Sequence, residues 1–135
     1  LPPRSQPLPG AIDAFTTSSV VEATRAAAYV LQTEGIGVQQ VRTDTGLVES
    51  AWYDIALLVP SARDYPADER MVRFRFVAQV DTTRARTHMW LETLQALNID
   101  PLGGRRRERH VPSDHPAMAT ARRLLERVES RLGEP

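Results

Sequence analysis

The run from Glu69 to Asp81, ERMVRFRFVAQVD, alternates apolar and polar side chains more regularly than any other in the chain. Val72, Phe74, Phe76, Ala78 and Val80 fall on one side, and Met71, Arg73, Arg75, Val77 and Gln79 on the other. A period of two over this length predicts a strand with one buried face. Such a strand needs paired neighbours and a cover for its apolar side. With 135 residues, no cysteine and a hydrophobic share of 41%, the chain has the length of one domain and can bury a core without disulfides.

The flanking segments supply the neighbours and the cover. Thr17 to Ser19 offer N-caps for a helix through SVVEATRAAAYVLQTEG, which Gly35 ends. Val20, Ala23, Ala27, Val30 and Leu31 give that helix an apolar face. Ile36 and Val38 then alternate towards a turn at Asp44-Thr45-Gly46. The run LVESAWYDIALLV reads as one strand with apolar area on both faces, ended by Pro60. Residues 60–68 are a loop by composition. After Asp81-Thr82-Thr83, alternation of Ala85, Thr87, Met89 and Leu91 with Arg84, Arg86, His88 and Trp90 predicts a strand to about Glu92. The stretch beyond it suits a strand or a helix. Residues 99–112 read as an irregular basic loop. Ser113 or Asp114 then caps a helix with Pro116 in its first turn and Met118, Ala121, Leu125, Val128 and Leu132 on its inner face. The expected fold is α+β: a four-stranded antiparallel meander with an N-terminal and a C-terminal helix packed on one face, in the order α-β-β-β-β-α.

Residues 1–10, LPPRSQPLPG, hold four prolines and read as a polyproline-type arm. The expected division is an extended arm over 1–16 and one domain over 17–135. A proline-rich end has no core of its own, so order in it comes from packing on its own domain or on a partner. The start at Leu1 rather than methionine is expected to reflect processing, which favours a periplasmic or other extracytoplasmic location.

Charge excludes several chemistries. All 17 basic residues are arginine and balance 17 acids, so Schiff-base and P-loop lysine chemistry are absent, as are cysteine nucleophiles and thiolate metal sites. Neutrality argues against a generic nucleic-acid binder. The balance is nevertheless uneven: residues 1–68 hold 4 arginines and 8 acids, and residues 69–135 hold 13 arginines and 9 acids, a net −4 against +4. Arg73, Arg75, Arg84 and Arg86 are expected to form a cross-strand cationic patch beside Trp90. Arg105, Arg106, Arg107 and Arg109 form the densest basic run. Each guanidinium is a planar fork suited to carboxylates and aromatic faces. RNA recognition would want aromatics among these arginines, whereas Phe74 and Phe76 fall on the opposite face. His88, His110 and His115 read as surface or capping residues rather than metal ligands. Asp64, Asp68 and Glu69 read as solvated loop acids, and Gly103-Gly104 as a turn. No catalytic residue, metal or cofactor is assigned.

Gly37, Val38, Asp44, Gly46, Leu47, Val48, Glu49, Ser50, Ala51 and Trp52 resemble the hairpin pattern G-x-V…D-x-x-x-G-x-V-x-S-x-W. That pattern follows a Gly-terminated helix in extracytoplasmic α+β domains of bacterial envelope lipoproteins of the outer-membrane assembly lipoprotein C type. The resemblance spans about residues 20–92. It implies a non-catalytic subunit that docks on a larger membrane complex.

The processed start, the arm and the lysine-free surface motivate one specific expectation of this class. It is an extrinsic accessory subunit of a photosynthetic reaction-centre–light-harvesting complex. Contacts to protein subunits, or to acidic lipid headgroups, are expected from Pro2, Pro3, Arg4, Pro7 and Pro9 of the arm, from the two arginine groups and from Trp90. The alternative is a small-ligand-binding or enzymatic domain with a pocket between sheet and helices lined by Trp52, Tyr53 or Trp90.

Overall fold

A computed structural model describes residues 6–61, 70–96 and 108–133. Its elements are β1 (Ile12–Thr16), α1 (Val20–Thr33), β2 (Val38–Arg42), β3 (Leu47–Ser50), β4 (Tyr53–Asp54), β5 (Val59–Pro60), β6 (Met71–Asp81), β7 (Arg86–Ala96), β8 (Glu108–His110) and α2 (Ala117–Gly133). The fold is α+β with two helices and one antiparallel sheet, but the sheet has eight strands rather than four. The expected meander is present as β2-β3-β6-β7. Strands outside it enlarge the sheet, β1 and β8 beside β7, and β4 with β5 beside β6.

The first addition is β1. Residues 12–16, read above as part of the arm, pair with β7 from Ile12↔Leu91 to Thr16↔Thr87. The alternation in IDAFT is only five residues long and comes shortly after the proline-rich segment, so its period is too short to read beside it. The second addition comes from the chain after Ser50. The expected continuous strand breaks into β3 and β4 and then reverses into β5, because buried Asp54 builds a turn. Its Oδ1 accepts the N–H groups of Ala56 (2.9 Å) and Leu57 (3.0 Å), and its carbonyl accepts that of Leu58 (2.8 Å). Pro60 therefore lies within β5, an outer strand that pairs with β4, where its missing N–H is harmless. The third is β8, which pairs with the far end of β7 beyond β1. Strand β7 itself continues to Ala96, so residues 93–96 are strand.

Helix α1 starts at Ser19. Its side chain accepts from the Glu22 N–H while the Glu22 carboxylate accepts from the Ser19 N–H. Gly35, at φ +75°, follows the end of the helix. Helix α2 begins differently from expectation. His115 Nδ1 accepts the Ala117 N–H at 3.1 Å, a cap supplied by an imidazole nearer the helix than Ser113 or Asp114. Both helices cover the same sheet face. Ala23, Ala27 and Leu31 of α1 and Ala121, Leu124 and Val128 of α2 are buried in one core with Phe74, Phe76, Met89 and Leu91. Outside that core the helices are clamped by Glu34, which meets Arg127 at 2.7 Å and Arg123 at 3.6 Å, and by Arg131 over the Tyr29 ring. Gly46 allows the β2–β3 turn to pass against β6. It adopts φ +74°, its carbonyl accepts the Ala78 N–H, and a Cβ there would strike the Ala78 carbonyl.

Tyr53 joins this core from β4. Burial pushes its phenol above the ordinary tyrosine range, against the nearby Arg123, which pulls it down. A raised pKa in the folded state leaves stability intact below the unfolded value of about 10 and erodes it as pH rises further. With no lysine and no cysteine in the chain, tyrosines are the side chains that titrate there. Unfolding midpoints in denaturant are expected to hold steady up to pH about 10 and to fall above it. Tyr53→Phe is expected to flatten that alkaline decline, and an unchanged decline would contradict the assignment.

Candidate docking face and the arm that closes it

The sheet face turned away from the helices carries Arg73, Arg75, Arg86 and Trp90 from among the residues that the sequence marks for contact. Strand register brings Glu49, Arg75 and Glu92 into one row across β3, β6 and β7, so opposite charges stand side by side. Arg75 donates through Nε and Nη2 to Glu49 Oε2 at 3.1 and 2.9 Å. Its guanidinium also reaches Glu108 Oε2 at 3.3 Å and Glu92 Oε1 at 3.5 Å. Arg73, one step along the same face, meets Glu108 Oε1 at 3.0 Å and Gln39 Oε1 at 3.2 Å. Its guanidinium carbon lies 4.5 Å from the centre of the Trp52 ring. Arg73 and Arg75 are 15% and 17% exposed. They are the cations of an internal ion-pair lattice, not a free cationic patch.

The other end of the face is also self-paired. Arg86 Nε meets Asp81 Oδ2 at 3.2 Å, and its guanidinium carbon lies 3.6 Å from the centre of the Phe15 ring. His88 stacks on Phe15 with centroids 4.6 Å apart, and its Nε2 lies 3.0 Å from Asp13 Oδ2. Phe15 is exposed at the surface, but Arg86 and His88 both lie against its ring. Arg84 is the exception. It stands exposed in the β6–β7 turn, apart from Arg73 and Arg75, so the four arginines form no common patch.

Trp90, expected at the surface, is inside the protein. It is 0% exposed and has no surface to offer a partner. Its Nε1 donates to Glu92 Oε2 at 3.3 Å, so the polar edge of the ring is satisfied inside. Glu92 is itself fully buried, and the same Oε2 accepts the Leu8 N–H at 3.0 Å. That bond brings the described end of the proline-rich segment, at Leu8, down onto the sheet. Beyond Leu8 the chain makes a turn with Pro9 and Gly10 at its centre, closed by the Ala11 N–H on the Leu8 carbonyl at 3.1 Å. Gly10 has φ +98°, as the third position of a type II turn requires. A Cβ on it would lie 2.8 Å from His110 Nδ1, so the turn rests directly against β8.

His110 is fixed in turn. Its Nδ1 lies 2.8 Å from the Val111 carbonyl and its Nε2 accepts the Thr93 N–H at 3.2 Å. The network thus assigns the hydrogen to Nδ1. The three histidines therefore hold three separate places: His88 on the open face, His110 at the β7–β8 joint and His115 at the start of α2. Trp52 and Tyr53 are likewise separated. Tyr53 lies in the main core, whereas Trp52 packs with Met71 and Ala96 in a small cluster of their own.

Pro7 and Pro9 are exposed on either side of the Leu8 anchor. Arg109 is exposed on β8, with its Nε on Gln95 Oε1 at 3.3 Å. Pro2, Pro3, Arg4, Arg105, Arg106 and Arg107 lie outside the described residues, as do Asp64, Asp68, Glu69 and Gly103-Gly104. The residues that organise the face, Glu49, Glu92, Glu108 and Leu8, are not among those that the sequence marks for contact. For Glu92 a signal was available, since it continues the polar side of the alternation through Arg86, His88 and Trp90. No helix among the described residues is long and apolar enough to cross a membrane. Compared with known proteins, the chain matches no protein-family model and no curated protein.

Removing the Glu92 carboxylate leaves two donors without their acceptor and Arg75 without one of its anions. Glu92→Ala is expected to cost about 3–5 kcal/mol in denaturant unfolding. Glu92→Gln keeps an acceptor oxygen and is expected to cost at least about 1 kcal/mol less. Equal costs for the two substitutions would contradict the acceptor role.

Proposed function

We propose that this chain is a non-catalytic accessory subunit that docks on a larger bacterial membrane complex and stabilises its assembly. The observation that carries the reading is the arm. Its backbone is pinned by Leu8 on Glu92 and by the Pro9-Gly10 turn on His110, and this leaves Pro7 and Pro9 facing outward. A proline ridge held in place before contact loses little conformational entropy when a partner closes on it. Exposed Arg84 and Arg109 add guanidinium forks for carboxylates of protein subunits or for acidic lipid headgroups. The internal placement of the polar groups supports a non-catalytic role. Each histidine is tied to a structural partner, and Arg73 and Arg75 are paired with the carboxylates of Glu49 and Glu108. A periplasmic site of action, and a photosynthetic reaction-centre–light-harvesting complex as the membrane partner, are the specific forms of this proposal.

Photo-crosslinking side chains placed at positions 7 and 9 test it in native membranes of the source, with exposed Glu129 on α2 as the control position. Both arm positions are expected to join the same integral membrane subunit, and position 129 to join none. Arg84→Gln with Arg109→Gln is expected to lower the yield at low salt and to have less effect at high salt, where screening already weakens charge contacts. Equal labelling from all three positions, or a chain that separates from the membranes as a free monomer, would overturn the proposal.

A further inference from the structure

The tip of the β4–β5 hairpin differs from the rest of the surface. Residues 55–60, Ile-Ala-Leu-Leu-Val-Pro, contain no charged or polar side chain. Leu57 is 66% exposed, Leu58 65% and Val59 47%. Three neighbouring large apolar side chains on a convex turn stand apart from a sheet face on which half-buried Arg73, Arg75 and Arg86 are each paired with a carboxylate.

Two features of the backbone say which surroundings this tip fits. The N–H groups of Ala56, Leu57 and Leu58 all donate inward to Asp54, so three successive amides at the tip are satisfied without water. A turn that enters a hydrocarbon-rich layer must meet that condition, and an ordinary solvated turn need not. In addition, Leu58 adopts φ +57°, a left-handed conformation that asparagine or glycine occupies with less strain. A leucine there sacrifices local stability to place an apolar side chain outward. At the base of the hairpin, Arg70 is 63% exposed and lies 3.8 Å from buried Asp54. A guanidinium below an apolar tip matches the order of layers met on entering a bilayer, acyl chains beneath headgroups.

We propose that the Leu57-Leu58-Val59 tip seats in the interfacial layer of a lipid bilayer. A convex apolar turn with closed amides suits a fluid acyl layer, which deforms around it. A bilayer-seated tip requires no protein partner, so protein-free vesicles test it separately from docking through Pro7 and Pro9.

The absence of cysteine allows clean single labelling of the full chain. An environment-sensitive fluorophore is placed on Leu57→Cys, or as a control on Val80→Cys, which is equally exposed at the opposite end of β6. Each labelled chain is held by a terminal histidine tag on vesicles of phosphatidylcholine and phosphatidylglycerol with a small share of nickel-chelating lipid. The expected result is a blue shift with a several-fold rise in intensity at position 57, quenched by lipids spin-labelled high on the acyl chain, and no change at position 80. Leu58→Asn in the position-57 background is expected to abolish most of the rise, while the unlabelled Leu58→Asn chain melts at the same temperature as the parent or higher. Three outcomes would overturn the proposal: equal responses at 57 and 80, a rise that appears without vesicles and grows with protein concentration (pairing of two copies), or a lowered melting temperature for Leu58→Asn.

Discussion

A carboxylate without solvent exposure costs several kcal/mol unless its charge and lone pairs are met. Glu92 is such a group, and meeting its needs organises one whole side of this protein. It draws Arg75 into the row that β3 and β7 complete from either side, it holds the indole of Trp90, and it accepts the backbone of Leu8. Through Leu8 it ties a segment that has no core of its own to the middle of the sheet. Through the Pro9-Gly10 turn and His110 the same segment braces β8 against β7.

The molecule thus has two faces built on different physics. One is a conventional apolar core in which α1 and α2 cover Phe74, Phe76, Met89 and Leu91. The other is a layer of guanidinium–carboxylate pairs, with Arg73 also lying over Trp52 and Arg86 over Phe15. Arginine serves such a layer better than lysine, because one planar group can meet two carboxylates and an aromatic face together. Lack of lysine, which at the level of sequence excludes reactions, here accompanies a surface in which arginine is a structural element.

Both helices are legible in the sequence because their signals are local: Ser19 with Glu22, Gly35, and apolar spacing through Val128 lie within a few residues of what they specify. Strand β6 is legible for the same reason. Strand β1 is hidden by its brevity and by the proline-rich segment before it, and the β4–β5 reversal by a single side chain, Asp54, whose turn-forming bonds leave the apolar pattern of LVESAWYDIALLV undisturbed. The pairing on the candidate contact face is not legible for a different reason. Arg73 and Arg75 look like a patch until register places Glu49 and Glu92 beside Arg75, and Glu108 arrives from more than thirty residues away. Pairing between distant strands is not written in any window of sequence, so a paired lattice and a free cationic face look alike there.

The central claim is that the arm belongs to the fold through the Leu8–Glu92 bond, before any partner arrives. Pro7 and Pro9 have no N–H, so Leu8 carries the single amide between them and reports on that bond alone. Hydrogen–deuterium exchange of the purified monomer measures it directly. The Leu8 amide is predicted to exchange roughly 100-fold more slowly than in an unstructured peptide, which corresponds to about 3 kcal/mol of local opening. Exchange at the unstructured rate would mean that the arm is not held by Glu92, and would contradict this account of the face.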